Sequence, residues 1–230
     1  MKNKINYPGW ELKFFDNSKN FRKYQLELIK DYINGKVAEV GPGNGMNLSY
    51  YINLPKKIYL FEPTLKLFKN LKKNFKKNKK IYFVNKKFQI KKNNYNTVLY
   101  LDVLEHIKDD QSEIRKAISS IKKGGYLIIN VPAYSHLYSK FDKDVGHVKR
   151  YEKKDFLKLL KEFKISSSQY IYYDSIGYLL SFMSKIFITN YKKNFEKKIK
   201  FWDSLIWLSK ILDKVIFNLF GKSLLVIIKK

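Results

Sequence analysis

Residues 37–45 read Val-Ala-Glu-Val-Gly-Pro-Gly-Asn-Gly, and no other stretch constrains the fold as much. An apolar run carrying one acid, Glu39, breaks into alternating glycines at Gly41, Gly43 and Gly45. The pattern predicts a strand that enters a tight turn and opens a helix. Glycines are needed where the backbone bends sharply and passes close to a ligand with no Cβ in the way. The next apolar run, Ile58-Tyr59-Leu60-Phe61, also ends in an acid, Glu62. It lies about 20 residues on, where a doubly wound sheet places a ribose-binding carboxylate. Together the two signals predict a cofactor containing adenosine.

Glycine spacing narrows the cofactor. A dinucleotide fingerprint, G-x-G-x-x-G, would put its third glycine where this chain has Met46. An NAD-dependent oxidoreductase is therefore disfavoured. The G-x-G-x-G spacing, with an acid two residues upstream, resembles the first motif of the class I S-adenosylmethionine-dependent methyltransferases.

The rest of the chain alternates strand and helix patterns, which predicts an α/β fold with a parallel sheet flanked on both faces. Residues 17–34 carry Phe21, Tyr24, Leu28, Ile29 and Tyr32 at helical spacing, closed by Gly35. Strands are expected at about 36–40, ending at Phe61, at Ile81–Val84, at Thr97–Leu101 and at Tyr126–Val131. A helix opened by Pro63-Thr64 should turn Leu65, Phe68, Leu71 and Phe75 inward, and a polar helix should fill about 109–122. Beyond residue 151 come a helix near 152–162 and a strand near 164–173. Residues 175–220 read as two helical stretches with a polar break at Asn190–Lys200. The second stretch should carry Trp202, Leu205, Ile206, Leu212, Val215, Ile216 and Leu219 on one stripe, before a closing strand at Leu224–Ile228. One domain over 1–230 is expected: an N-terminal helical segment to 35, a cofactor-binding core to 173, a helical insertion at 174–220 and a last strand.

The formal net charge of +27 points to anionic partners such as nucleic acid, anionic lipid or a phosphorylated substrate. A second explanation competes. Only Arg22, Arg115 and Arg150 are arginines, and a bias to Lys, Asn, Ile, Tyr and Phe is what an AT-rich genome produces unaided. With no cysteine, disulfides, thiolate metal sites and cysteine nucleophiles are excluded. The histidines, His106, His136 and His147, form no recognisable metal motif in sequence, so no metal is expected. Met1–Pro8 has no apolar core of a signal peptide, and no apolar run is long enough to span a membrane. A cytoplasmic location is expected, with contact at an anionic membrane surface as an option.

The stretch 98–151 contains Asp102-Val103-Leu104-Glu105-His106-Ile107, then Gly124-Gly125, and closes with Gly146-His147-Val148-Lys149-Arg150-Tyr151. With the glycine turn and Gly221-Lys222-Ser223-Leu224-Leu225, it resembles a bacterial group of class I methyltransferases often found beside family 2 glycosyltransferases. The resemblance implies a Rossmann-like sheet of seven strands, the last antiparallel and inserted beside the fifth. It implies that Gly41, Gly43 and Gly45 pass close to the methionine part of S-adenosylmethionine, and that Glu39 organises the cofactor's amino group, directly or through water. Glu62 would accept from the ribose hydroxyls, and Asp102 and Val103 would border the methyl-transfer site. The acid that relatives carry after the third strand is missing here, which leaves Phe88 or Gln89 to contact the base; the usual acid before the fourth strand is Asn96.

Methyl transfer from a sulfonium needs in-line positioning and, for a hydroxyl acceptor, removal of a proton. His147 is the first candidate base and His106 the second, since both follow strands at the ligand-binding edge. Arg150 and Tyr151 would clamp an anionic substrate group, or else anchor the loop through Asp142 or Asp144. The helices of 175–220 would cap the acceptor, dock on a membrane, or simply pack. A small-molecule, glycan or lipid-linked acceptor, methylated at oxygen, is the leading expectation. Its rivals are a nucleic-acid methyltransferase, disfavoured because Asp102-Val103-Leu104-Glu105 stands where amino-directed members carry Asn/Asp-Pro-Pro-Tyr, and a non-catalytic cofactor-binding protein.

Overall fold

A computed structural model describes residues 9–187 and 190–230. The reading of Met1–Pro8 as lacking a signal peptide lies outside the described residues. Seven strands, β1 (Lys36–Val40), β2 (Lys57–Phe61), β3 (Ile81–Val84), β4 (Tyr95–Leu101), β5 (Ile121–Pro132), β6 (Ser167–Tyr173) and β7 (Ser223–Lys229), form one sheet in the order β3-β2-β1-β4-β5-β7-β6. β1 to β5 pair in parallel, and β7 runs antiparallel between β5 and β6. This is the seven-stranded sheet the sequence leads one to expect.

The helices are α1 (Leu12–Phe15), α2 (Lys19–Ile29), α3 (Met46–Tyr51), α4 (Leu65–Phe75), α5 (Asp110–Ser120), α6 (Lys140–Val145), α7 (Lys153–Leu160), α8 (Ser175–Phe187), α9 (Phe195–Ser204) and α10 (Ile206–Val215). Strand alternation sorts the core into two layers. In β4, Val98 and Tyr100 join one cluster with Ile114 and Ala117 of α5 and Phe156 of α7. Leu99 and Leu101 join the other with Phe21 of α2, Leu71 of α4 and Trp202 of α9. Burial on both faces explains the unbroken apolar character of that strand.

Four expectations need correction. Leu65 opens α4 but is half exposed; Phe68 and Phe75 are partly buried, and only Leu71 is fully buried. β5 starts at Ile121 rather than Tyr126, because Tyr95 pairs with Ile121 before a register shift to Thr97–Tyr126 that bulges out Lys122–Gly125. The polar break is half helix: α9 turns Phe195, Ile199 and Trp202 toward the core and its lysines outward, so the insertion has three helices. The proposed stripe is split at Leu205, where α9 gives way to α10, and Val215 and Leu219 are exposed.

Two buried aspartates, Asp203 and Asp213, fasten the insertion to α2, and a third, Asp174, ties its helices together. Asp203 accepts from the backbone N–H of Asn20 and Phe21, at 3.1 and 2.9 Å, and so caps α2. Asp213 accepts from the Tyr24 hydroxyl and from the N–H groups of Asp174 and Ser175. Asp174 accepts from Trp202 Nε1, the Ser209 hydroxyl and the Gly177 N–H.

Candidate active site

The turns after β1, β2, β4 and β5 border one cavity of about 730 Å³, lined by Gly41, Gly43, Glu62, Asp102 and Pro132 among others. It lies at the carboxyl edge where the strand order reverses between β1 and β4, the position where open α/β sheets bind ligands. Its size is that of a small-molecule or cofactor site.

The three glycines of the turn all have positive φ, but they do different work. A Cβ on Gly45 would sit 2.5 Å from Phe75 and 2.6 Å from Leu71, so this glycine lets α3 pack on α4. Gly45 is outside the cavity lining, and the expectation that it approaches the ligand is corrected. A Cβ on Gly41 would meet Val103 at 2.9 Å. Gly43 alone is open, with only Leu12 within reach at 3.8 Å. The Gly43 N–H donates to Glu62 Oε2 at 3.1 Å, and Thr64 N–H donates to Glu62 Oε1 at 2.7 Å. Burial pushes the Glu62 carboxyl up, against these two hydrogen bonds.

Glu39 is buried beneath the turn, where the Tyr51 hydroxyl donates to it at 2.5 Å. Burial raises its carboxyl to about 7, opposed by the Tyr51 hydrogen bond and by Arg22. It does not line the cavity, so of the ways it could organise the cofactor's amino group only an indirect one, as through water, fits its position. Phe88 is buried and lines the cavity; Gln89 is exposed and does not.

Asp102 follows β4 with φ of 59°, an uncommon conformation for a residue with a side chain. It is held there by Asn130 Nδ2 at 2.6 Å and Arg22 Nη1 at 3.0 Å. Asn130 Oδ1 in turn accepts from the Tyr173 hydroxyl at 2.8 Å. Val103 also lines the cavity.

The two candidate bases come together. His106 ends a 3-10 turn after β4, His147 follows α6, and their ring centroids are 4.8 Å apart. Both rings line the cavity. The segment before His147 is not the loop expected, because Ser139 and Asp142 form a capping box that starts α6. His147 Nδ1 lies 2.8 Å from Asp142 Oδ1, and its Nε2 is 3.9 Å from Glu105 Oε1. His106 Nδ1 lies 3.1 Å from the Gly146 carbonyl. Burial, helped by His147, lowers the His106 imidazole to about 4. Burial alone would push the Asp142 carboxyl up, but hydrogen bonds from His147 and the Arg150 guanidinium hold it well below the usual range. Burial and then Asp102 push the Glu105 carboxyl well up.

Arg150 forks onto Asp142, Nε to Oδ1 at 2.9 Å and Nη2 to Oδ2 at 3.0 Å, and also donates to the Ala133 carbonyl. Tyr151 is fully buried, its hydroxyl donating to Asp110 and the Leu104 carbonyl. Of the two roles expected, Arg150 anchors through Asp142 while also lining the cavity; the clamp is corrected for Tyr151 alone, which belongs to the core. Asp144 instead meets Tyr191 and Lys192.

Lys222, which was not singled out as a site residue, lines the cavity with its ammonium 3.9 Å from the Trp202 ring centroid. Burial depresses the ammonium, with Asp174 opposing. It precedes β7, and only the antiparallel return of that strand beside β5 brings it here. Glu105 also lines the cavity and was read only as part of a motif.

Residues 16–166 match a family described as a methyltransferase domain. No curated protein matches the chain in sequence. Among solved structures, an S-adenosylmethionine-dependent methyltransferase from Archaeoglobus fulgidus is similar over 96% of this chain and 100% of that one, at 14% identity and a TM-score of 0.62. Phosphoethanolamine N-methyltransferase 2 of Haemonchus contortus, solved with S-adenosyl-L-methionine, is similar over 100% of this chain and 61% of that one, at 12% identity and a TM-score of 0.61. The Bacillus YcgJ protein gives a TM-score of 0.60 at 13% identity over 90% and 99% of the two chains. At these identities the likeness establishes the shared fold. The match across residues 16–166 establishes more: the chain belongs to the methyltransferase-domain family.

Proposed function

We propose that the protein transfers the methyl group of S-adenosylmethionine to a hydroxyl of a small-molecule, glycan or lipid-linked acceptor that carries negative charge. The cavity suits that cofactor. Gly43 offers backbone with no side chain in the way, Glu62 offers a buried carboxylate, and Phe88 offers an apolar ring face. Gly41, Gly43, Glu62, Phe88, Asp102 and Val103 would hold it. The cofactor supplies an electrophilic methyl on a sulfonium whose leaving thioether is neutral.

The protein's own contribution is then positioning and proton removal. With Nδ1–H donating to Asp142, His147 carries its lone pair on Nε2 and can take the acceptor's proton there. Asp142, fixed by Arg150 and Ser139, would stabilise the imidazolium that results. His106, with its basicity depressed, stays neutral beside it and is a poor base. Lys222 and Arg22 line the same cavity and suit an anionic acceptor group. The observation that carries this reading is that the Asp142–His147 pair opens on the cavity that Gly43 and Glu62 line.

One surface favours the lipid-linked form of the acceptor. α8 exposes Leu179, Phe182, Met183 and Ile186; α10 and the turn after it expose Trp207, Ile211 and Phe217. α8 and α10 pack on each other, with Lys185, Lys210 and Lys214 on the same helices. Apolar side chains flanked by lysines suit an anionic bilayer surface. No helix among the described residues is long and apolar enough to cross a membrane.

The test is a single-turnover assay with labelled S-adenosylmethionine and fractionated cell extract, after isothermal titration with S-adenosylhomocysteine. His147→Ala should slow transfer by about 10²–10⁴ while cofactor affinity holds. An unchanged single-turnover rate removes His147 from catalysis, and binding of NAD in place of S-adenosylhomocysteine removes the cofactor assignment.

A further inference from the structure

Glu105, His106 and His147 each offer one donor atom, and the three atoms lie within 4.8 Å of one another. They come from two separate segments, the turn after β4 and the residues after α6. The backbone ties those segments together, since the Val148 N–H donates to the Glu105 carbonyl at 2.7 Å. All three residues line the cavity.

Two imidazole nitrogens and one carboxylate oxygen form a donor set for borderline divalent ions such as Zn²⁺, Mn²⁺, Fe²⁺ and Co²⁺. Hard ions such as Ca²⁺ prefer all-oxygen cages. Three protein donors leave coordination positions open toward the cavity, the pattern of a catalytic rather than a structural ion. The supporting contacts agree. Asp142 holds His147 Nδ1 at 2.8 Å and so fixes the ring with Nε2 toward Glu105. A carboxylate behind a ligating imidazole is the usual outer support of such sites. The Gly146 carbonyl lies 3.1 Å from His106 Nδ1.

Glu105 adds an independent sign. The residue is 1% exposed, yet its Oε2 has no hydrogen-bond partner among the described residues. A buried carboxylate oxygen without a partner is rare and calls for a cause, such as an ion. We infer that Glu105, His106 and His147 are the protein ligands of a divalent transition-metal ion at the acceptor end of the cavity. Seating it at about 2.0–2.2 Å from each donor requires the three atoms to close up by about an ångström, within reach of side-chain rotation.

The role of this ion rests on the methyl-transfer reading. Bound next to the acceptor hydroxyl, it would make that oxygen more acidic, so that with the ion in place the proton leaves to water, and His147 Nε2 serves as the base only in the metal-free protein. The oxygen–methyl bond still forms as the sulfonium–methyl bond breaks, with no redox change.

The experiment titrates chelator-stripped, full-length protein with Co²⁺ and follows the ligand-field bands in visible light, then adds Zn²⁺. One equivalent of Co²⁺ should develop the bands and Zn²⁺ should bleach them. Glu105→Gln and His106→Ala should each weaken Co²⁺ binding by at least about tenfold. S-adenosylhomocysteine titration of each variant reports whether it is folded, and either folded variant suffices. Absence of bands in the parent protein, or bands unchanged in a folded variant, overturns the site. Co²⁺ binding at these ligands without S-adenosylhomocysteine binding would leave the metal site standing and remove the methyl-transfer reading; the reverse result does the opposite.

Discussion

Replacing Glu39 by glutamine should change how stability depends on pH, and the size of the change follows from where the carboxyl sits. In the folded protein burial raises it to about 7. In the unfolded chain it titrates at about 4.3. Between those values the folded state binds the extra proton, so stability falls as pH rises through the window and levels off above the folded value. At about 1.4 kcal/mol per unit, the full cost is about 4 kcal/mol, and the part lost between about pH 5 and about pH 8 is about 2–3 kcal/mol. Glutamine cannot ionise, and its carbonyl can still accept from Tyr51. Urea denaturation of both proteins at the two pH values isolates the difference, because carboxyls common to both largely cancel. The variant should gain on the parent by about 2–3 kcal/mol on going from acid to alkaline pH. A stability difference that is the same at both pH values would refute the reasoning, and would mean that water or a cation reaches Glu39.

Gly45→Ala should destabilise the fold by about 1–3 kcal/mol, through its positive φ and the clash with Phe75 and Leu71, without altering S-adenosylhomocysteine affinity in titration of the folded protein. Gly43→Val should do the converse at the ligand, since its side chain projects into open space; unchanged affinity would place the cofactor elsewhere. Asp142→Asn leaves the buried Arg150 guanidinium without its charge partner and should cost about 3–5 kcal/mol in chemical denaturation. The parent should sediment with anionic liposomes and less with neutral ones, with Trp207→Ser and Phe217→Ser weakening the effect; binding no better than to duplex DNA would attribute the charge to composition.

The strands and the glycine turn were legible because they rest on local backbone chemistry and apolar runs: a sharp turn needs glycine, and a strand buried on both faces cannot hide polar residues; the antiparallel last strand beside the fifth came only from the family resemblance. The work of each glycine was not, since Gly45 meets α4, which only the folded packing reveals. The same limit applies to His106 and His147. Their separation in sequence gave no hint of a shared cluster, because adjacency arises where the turn after β4 meets the segment after α6. Tyr151 departs from its expected clamp role because Asp110 and the Leu104 carbonyl satisfy its hydroxyl inside the core. α9 was legible in principle. Phe195, Ile199 and Trp202 repeat at helical spacing, but the intervening lysines masked the pattern.

The aspartates that fasten the insertion bear on how such a protein could acquire a new acceptor. Asp203 and Asp213 accept from donors in α2, and Asp213 and Asp174 accept from donors at the start of α8 and in α9 and α10, so the insertion and α2 share one set of hydrogen bonds. A transplanted insertion lacking Asp203 and Asp213 would leave the Asn20 and Phe21 N–H groups and the Tyr24 hydroxyl without these partners. Changes of specificity are then expected to arise by substitution at cavity-facing positions such as Lys222 and Phe141, with the helical segment inherited as a block. Chimaeras exchanging residues 174–220 between relatives should fold only when the incoming segment keeps acceptors for the α2 donors at the positions of Asp203 and Asp213.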